Sequence, residues 1–383
     1  MGYIYVNMSK DLSFEIVVVG GGIAGLAAAK QLVGMGISVA VVEQNTYPFH
    51  RVCGEYVSNE TVPFLERIGL FPGQIKIANI NKFLLSDVRG RQFKTHLPLG
   101  GFGVSRYKWD HWAMKKVRHA GGKIIENIRI TSLKKELNQW VCKLSNGENL
   151  KAKFVIGAFG KRSVLDRKLD RGFMARSSPY VGIKYHVATD FDENTVALHN
   201  FPGGYCGFNK IEEGRYNLCY LTLRRNIKKA GNINKLEKVF LGRNPLLKEI
   251  IGVSRRLVDK PSIINNIYFG PKETGISEIP MIGDSAGLIT PLCGNGMAIA
   301  IHSSKILVEA IGKYWKGGCP DHYNILKTYT AQWNKRFFKR LKTGRVLQNF
   351  FGSGSGSLFA ISAGRLSPAS LKFLIKQTHG KPF

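Results

Sequence analysis

Acidic residues are scarce: the 383-residue chain carries 26 Asp and Glu against 56 Lys and Arg, a formal net charge of +30. Long apolar runs are missing too. None reaches the roughly 18 to 20 residues a membrane-spanning helix needs, because Lys30 and Gln31 interrupt the only long candidate. The six cysteines, at 53, 142, 206, 219, 293 and 319, show no CxxC or zinc spacing. They read as reduced thiols rather than a disulfide frame, so no metal site is expected and a cytoplasmic location is. Met1 to Phe14 is a short polar lead-in without a secretion signal, and no internal repeat is visible. The basic excess raises nucleic acid as a partner. The Lys and Arg are spread along the chain with no nucleic-acid motif among them, so none is expected. Peripheral contact with an anionic membrane surface, or with an acidic carrier protein, suits the charge better. A generally basic composition without a partner accounts for it as well.

What is present begins with Gly20-Gly21-Gly22-Ile23-Ala24-Gly25. It follows the apolar run Ile16 to Val19 and opens the Ala-rich stretch Leu26 to Leu32. A second apolar run, Ser38 to Val42, ends on Glu43. Strand, glycine turn, helix, strand and terminal carboxylate make a dinucleotide-binding βαβ unit. Gly20 permits the turn, Gly22 lets a pyrophosphate approach bare backbone, and Gly25 lets helix and strand pack closely. The phosphates are expected at the helix N-terminus, where free N–H groups and the dipole favour negative charge. Glu43 is placed to accept from a ribose diol and disfavours a 2′-phosphate, which points to FAD or NAD rather than NADP.

Far downstream, Ile279 to Ile282 reads as a short strand running into Gly283-Asp284-Ser285-Ala286-Gly287. Pro291-Leu292-Cys293-Gly294-Asn295-Gly296-Met297 then leads into a helical pattern from Ala298 to Ile311. A carboxylate among glycines suits a polyol chain, and a second exposed helix N-terminus suits negative charge on a flavin ring. On these motifs, over roughly residues 14 to 330, the chain resembles the FAD-dependent oxidoreductases of the 4-hydroxybenzoate hydroxylase-like group, geranylgeranyl reductase-like branch. The resemblance implies that Gly283 and Asp284 contact the ribityl and pyrophosphate of FAD. It places Gly294, Asn295, Gly296 and Met297 beside the isoalloxazine. It also implies FAD contacts for Arg51 and for Arg106, whose alternative is a surface salt bridge with Asp110. Cys53-Gly54 match a Cys-Gly pair next to the ring, where the thiol either packs or donates a proton.

The resemblance also matches Phe201 to Phe208, followed by Glu213 to Leu218, to the substrate-roof hairpin of that branch. Tyr205 is kept, while Gly207 stands where isoprenoid reductases carry Trp and Asn209-Lys210 replace Phe-Pro. The pocket is thereby opened and made more polar. Phe159 stands where NADPH-using hydroxylases of the group carry Asp, which counts against direct NADPH use and leaves the donor open between NAD(P)H and a reduced protein carrier. Trp109-Asp110-His111-Trp112 has the wrong spacing for the halogenase segment.

The expected architecture is an α/β fold, a Rossmann-type FAD-binding domain of the glutathione reductase-like βαβ kind. It is assembled from 14–70, 101–163 and 275–318. An antiparallel-sheet substrate domain, 71–100 and 165–270, is interleaved with it, and a basic helical region follows at 320–383. Lys123 to Ile130 is expected as one strand. In the tail, Tyr323, Leu326, Tyr329 and Trp333 recur at helical spacing among Lys and Arg. They fit either a helix packed on the cofactor domain with a solvated basic face or a docking surface. Gly352 to Ser357 reads as a flexible break, and Ser367 to Lys376 as a short helix. The expected function is FAD-dependent double-bond reduction of a mostly apolar or carrier-bound metabolite, with Cys53 and Tyr205 as candidate catalytic residues. Two alternatives stay open: a flavin monooxygenase hydroxylating an aromatic or polyketide-like ring, and a flavin-bearing electron-transfer or binding protein.

Overall fold

The structure, a computed structural model, describes residues 12–351 and 380–383. Strands β1 (Leu12–Val19) and β2 (Val39–Val42) are joined by helix α1 (Ile23–Gly34). Val and Ile fill both strands because both sheet faces are covered, as parallel strands require. Ile16, Val17 and Val18 are wholly buried, and each such side chain contributes about 1.5 to 3 kcal/mol. β1 lies parallel to β2 on one side and to β9 (Asn149–Gly157) on the other. β6 (Lys123–Ile125) adds parallel to β2, while β8 (Gln139–Leu144) and β7 (Ile130–Glu136) continue antiparallel beyond β9. The stretch 123–130 is thus split between two strands. Asn127, left-handed at φ 59°, turns the chain between them.

Helix α1 is apolar nearly all round because it is enclosed. Its Ala-rich surface lets α3 (Arg106–His119) and α8 (Gly296–Tyr314) approach closely. Downstream, Met281 bridges Gly157 in parallel, and the Ile282 N–H donates to the Gly157 carbonyl at 2.9 Å. That contact carries the second glycine turn to the C-terminal edge of the parallel sheet.

The second sheet collects β3 (Tyr56–Ser58), β4 (Ala78–Ser86), β5 (Gln92–Gly103), β10 (Tyr180–Ala188), β11 (Thr195–Phe201), β12 (Gly204–Lys210), β13 (Arg215–Leu223), β14 (Arg255–Arg256) and β15 (Ser262–Asn265). The order is β14-β10-β13-β12-β11-β4-β5-β3, with β15 also on β10; all pairs are antiparallel except β11 with β4. One face packs Ile183, Tyr185, Phe208, Leu218 and Tyr220 against α6 (Ile233–Val239) and α7 (Pro245–Val253), which α5 (Arg224–Ala230) precedes. The other face looks toward the parallel sheet. Strand β3, inside the segment 14–70, pairs with β5, so the two sheets are stitched by the chain itself. Short helices α2 (Val62–Arg67) and α4 (Val164–Lys168) fill connections.

Helix α9 (His322–Phe351) buries Ile325, Tyr329, Trp333, Phe337 and Leu341 at successive fourth positions. The architecture is the α/β fold the sequence predicts: a βαβ-based parallel sheet, an interleaved and mostly antiparallel sheet, and a C-terminal helix. The segments 352–357 and 367–376 lie outside the described residues.

Candidate active site

The first turn is built by close approach. Gly20 has φ 110°, and any Cβ there would collide with the Ala158 carbonyl; a Cβ at Gly25 would collide with the Gly20 carbonyl. Gly22 is different. It caps α1 without a side-chain hydrogen bond, and a Cβ there would meet only the Arg106 guanidinium, at 3.4 Å. The N-terminus of α1 therefore opens onto a cation, with no carboxylate in its first turn.

Arg106 is nearly buried and grips Asp110 twice, Nε to Oδ1 and Nη2 to Oδ2, both at 2.6 Å. The salt bridge with Asp110, given as a surface alternative to an FAD contact, is an interior one. Glu43, 3% exposed, ends β2 beside the turn. Its Oε2 accepts from the Gly21 N–H (3.0 Å) and Arg51 Nη2 (2.9 Å), and its Oε1 from the Asn45 N–H (3.0 Å) and Nδ2 (2.8 Å). A ribose diol reaching Glu43 exchanges with the side chains of Arg51 or Asn45. The Arg51 side chain is 29% exposed, with its Nε 3.3 Å from Asp110.

Although about 260 residues separate them in sequence, the two glycine signatures meet in space. Gly283, at φ 60°, would touch Ala24 of α1 at 3.0 Å and Ala300 of α8 at 3.6 Å if it carried a Cβ. Ser285 Oγ accepts from the Gly160 N–H at 2.8 Å, stitching this turn to the end of β9. Lys272 Nζ donates to the Lys161 and Asp284 carbonyls at 2.7 and 2.8 Å, and burial pushes its pKa down to about 8. Lys161 Nζ lies 3.6 Å from the Asp284 carboxylate and donates to the Val52 carbonyl at 3.1 Å. Gly294, left-handed at φ 63°, would contact the Tyr56 ring at 3.3 Å with a Cβ. Asn295 caps α8, and Gly296 and Met297 begin it.

The loop from Arg51 to Glu55 crosses the inner face of the second sheet. Strand registers align Tyr205 with Leu221 and Gly182, Gly207 with Cys219 and Lys184, and Asn209 with Asn217 and His186. Asn217 Nδ2 holds the Cys53 and Gly54 carbonyls at 3.2 and 2.8 Å. Glu55, fully buried and left-handed at φ 53°, accepts from the Lys184 ammonium and the Arg106 N–H (2.8 Å) on Oε1 and contacts His186 Nε2 (2.6 Å) on Oε2. Burial alone would raise this carboxyl. Lys184 and His186 outweigh it and hold the pKa at about 2. Glu212, also fully buried, takes the Ser105 N–H (2.7 Å) and Oγ (2.6 Å). Two carboxylates thus complement the N-terminus of α3.

Cys53 is partly buried on the main core, with the Glu55 N–H 3.5 Å from its sulfur. Gly54 is open on its side-chain side, and a Cβ at Gly207 would meet only the Cys219 carbonyl, at 3.6 Å. Tyr205 lies elsewhere on the same face, 2% exposed in a cluster with Leu85, Leu198 and Leu288. Its hydroxyl bonds Gln348 Oε1 of α9 (3.0 Å) and accepts from the Leu292 N–H (3.1 Å). The structure gives Tyr205 a place as an anchored wall of this face.

Sequence reasoning named neither Lys184, His186 nor Glu212, and it placed Asn217 in the roof hairpin without a role. The only signal was polar residues at alternate positions of apolar strands, and that pattern does not say what they meet.

The residues fit a dinucleotide: bare backbone at Gly22, an open helix N-terminus, a buried guanidinium beside it, and a terminal carboxylate. A family described as FAD binding domain matches residues 13–198. The chain is similar to digeranylgeranylglycerophospholipid reductase 2 of Methanopyrus kandleri, 24% identical over 95% of this chain and 93% of that protein. Among solved structures, a geranylgeranyl bacteriochlorophyll reductase-like protein from Thermoplasma acidophilum superposes with a TM-score of 0.77 at 18% identity, covering 96% of this chain and 99% of the other. PqsL of Pseudomonas aeruginosa, described as a probable FAD-dependent monooxygenase, shares the fold with a TM-score of 0.72 at 18% identity, covering 90% and 98%. This chain therefore carries an FAD binding domain, its cofactor is FAD, and over its length it is similar to geranylgeranyl reductase-like proteins.

Proposed function

We propose that this enzyme reduces a carbon–carbon double bond in a long, mostly apolar metabolite, free or carried on a lipid or protein. The observation that carries the reading is the Cys53-Gly54 loop. It is bolted across the inner sheet face by Asn217 and Glu55, beside the place where the two glycine signatures converge. The similarity to a reductase of geranylgeranyl lipids supports it.

When bound, FAD supplies the two-electron chemistry. Gly20 to Gly22, the α1 N-terminus and Arg106 would hold its pyrophosphate, Glu43 a ribose, Gly283 and Asp284 the ribityl chain, and Gly294 to Met297 the ring edge. Cys53 Sγ holds the proton that the second alkene carbon needs. Tyr205, Leu198 and Leu85 wall the apolar end of the chamber, and the free space at Gly207 admits bulk. Lys161 and Lys272 fix the loops around it. Electrons arrive from a reduced protein carrier or a loosely held nicotinamide, because Phe159 leaves no carboxylate at its position. Peripheral contact with a membrane or an acidic carrier protein brings the substrate.

A second reading, hydroxylation of an aromatic or polyketide-like ring, is favoured by one observation: Asn209 and Asn217 border the space at Gly207 with amides. Turnover with a candidate polyene under labelled oxygen separates the two. Loss of a double bond without label in the product supports reduction; labelled oxygen in the product overturns it.

A further inference from the structure

Helix α9 runs for 30 residues, about 45 Å at about 1.5 Å per residue, without one Asp or Glu. It carries seven basic residues. Its buried stripe faces the core, and among the described residues nothing packs on the opposite side. Lys327, Lys335, Lys339, Lys342 and Val346 follow one another there at helical spacings, with Phe338 one turn from Lys335 and Lys342. Phe338 is 57% exposed, Val346 50% and Tyr323 70%. Among the described residues no carboxylate pairs with Lys335, Arg336, Lys339 or Lys342. Tyr323 sits on this outer side, although its spacing had grouped it with the buried Tyr329 and Trp333.

We propose that this face of α9 docks flat on an anionic lipid bilayer. Cations alone would suit any polyanion. Large apolar side chains set among the lysines are what a headgroup and acyl boundary accommodates, with the ammonium groups on lipid phosphates and Phe338 below them. A duplex backbone offers nothing to bury Phe338 or Val346, and an acidic protein would need a matching apolar patch. The inner side of the same helix end touches the chamber. Gln348 bonds Tyr205, and the Gly344 carbonyl accepts from Thr290 Oγ1 at 3.1 Å. Docking therefore brings the apolar wall of the chamber to the membrane surface. This last point rests on the apolar-substrate reading, whereas the docking does not.

The test is flotation of the FAD-loaded protein with phosphatidylcholine vesicles, with and without phosphatidylglycerol. Binding is expected only to the anionic vesicles and is expected to weaken with salt. Lys335→Gln/Lys339→Gln/Lys342→Gln should weaken partitioning on the order of 100-fold, about fivefold per lysine. Phe338→Ser, which leaves the charge intact, should weaken it about tenfold. FAD stoichiometry and chemical reduction of the flavin should be unchanged in both variants, which shows that they fold. Equal binding to neutral vesicles overturns the proposal, as does wild-type partitioning of both variants. So does loss of binding to a nucleic-acid duplex or an acidic protein in the triple variant while vesicle binding persists. If docking fails while FAD and turnover are retained, only the docking falls; if docking holds and no double bond is reduced, only the reaction assignment falls.

Discussion

Single side chains carry most of the chemistry, and their environments decide which can act. Cys53 is the one thiol on the loop that crosses the inner sheet face; Cys219, on β13, is pushed up to about 12 by burial, which makes it a poor acid. With Cys53 as proton donor, Cys53→Ala should lower turnover by about 10²- to 10⁴-fold with FAD retained, the range for losing a general acid. Turnover of Cys53→Ser beside Cys53→Ala is the measurement, and near-wild-type rates in both would remove the thiol from the mechanism. Glu55 has a different part. Glu55→Gln strands the Lys184 ammonium in the interior and should cost about 3 to 5 kcal/mol of stability, read by chemical denaturation. The double variant Glu55→Gln/Lys184→Met should regain much of that, since no unpaired charge remains. The pH sign follows from the depressed pKa. The carboxylate contributes fully above its ordinary value of 4.5 and loses its contribution as pH falls toward about 2. Acid denaturation of Glu55→Gln should be flatter than wild type across that window.

At the scale of elements, α3 is the link between the sheets. The N–H groups of its N-cap Ser105 and of Arg106 are taken by Glu212 and Glu55, and its first side chain, Arg106, faces the first glycine turn. Glu212→Gln keeps a weaker acceptor for Ser105 while removing the charge at the helix end, a loss of about 0.3 to 2 kcal/mol. FAD affinity should fall by about the same energy, measured by flavin fluorescence quenching, with secondary structure unchanged by circular dichroism. Unaltered affinity would show that Arg106 is placed without help from the roof hairpin. Helix α9 is the other link. Tyr205→Phe removes the hydroxyl shared by Gln348 and Leu292 and should cost about 1 to 3 kcal/mol of stability. Flavin content should fall little, because only the Leu292 N–H of the Pro291 to Met297 turn loses a partner and the first glycine turn is untouched.

For the whole molecule, the cofactor is part of the fold's stability. Free FAD at about 100 times its dissociation constant should add about 2.7 kcal/mol and raise Tm accordingly. Glu43→Ala should weaken FAD by about 1 to 3 kcal/mol, since a buried partner for a ribose hydroxyl is lost. That shift is checked by titration against the thermal melt. A Tm that ignores added FAD in the wild type would contradict the arrangement of the two turns around one ligand.

The sequence by itself determined the wall formed by the first glycine turn and the acidic end of β2. Gly20, Gly22, Gly25 and Glu43 are legible because the phosphate turn depends on local backbone geometry, on contacts within about 30 residues, and on residue types with no substitute. The same holds for the Gly283-Asp284 turn and for part of the buried stripe of α9: Tyr329 and Trp333 are legible, while Tyr323 faces outward and Ile325 takes its place. Tertiary structure alone decided what lies above that wall. Glu55 meets Lys184, His186 and Arg106, Asn217 holds the Cys53 loop, Glu212 caps α3, and Gln348 claims Tyr205. Each pair joins positions far apart in the chain, through strands whose alternation tells which face a residue occupies and nothing of its partner. A buried charge is tolerated only where an opposite one is brought to it, and sequence spacing holds no record of that meeting.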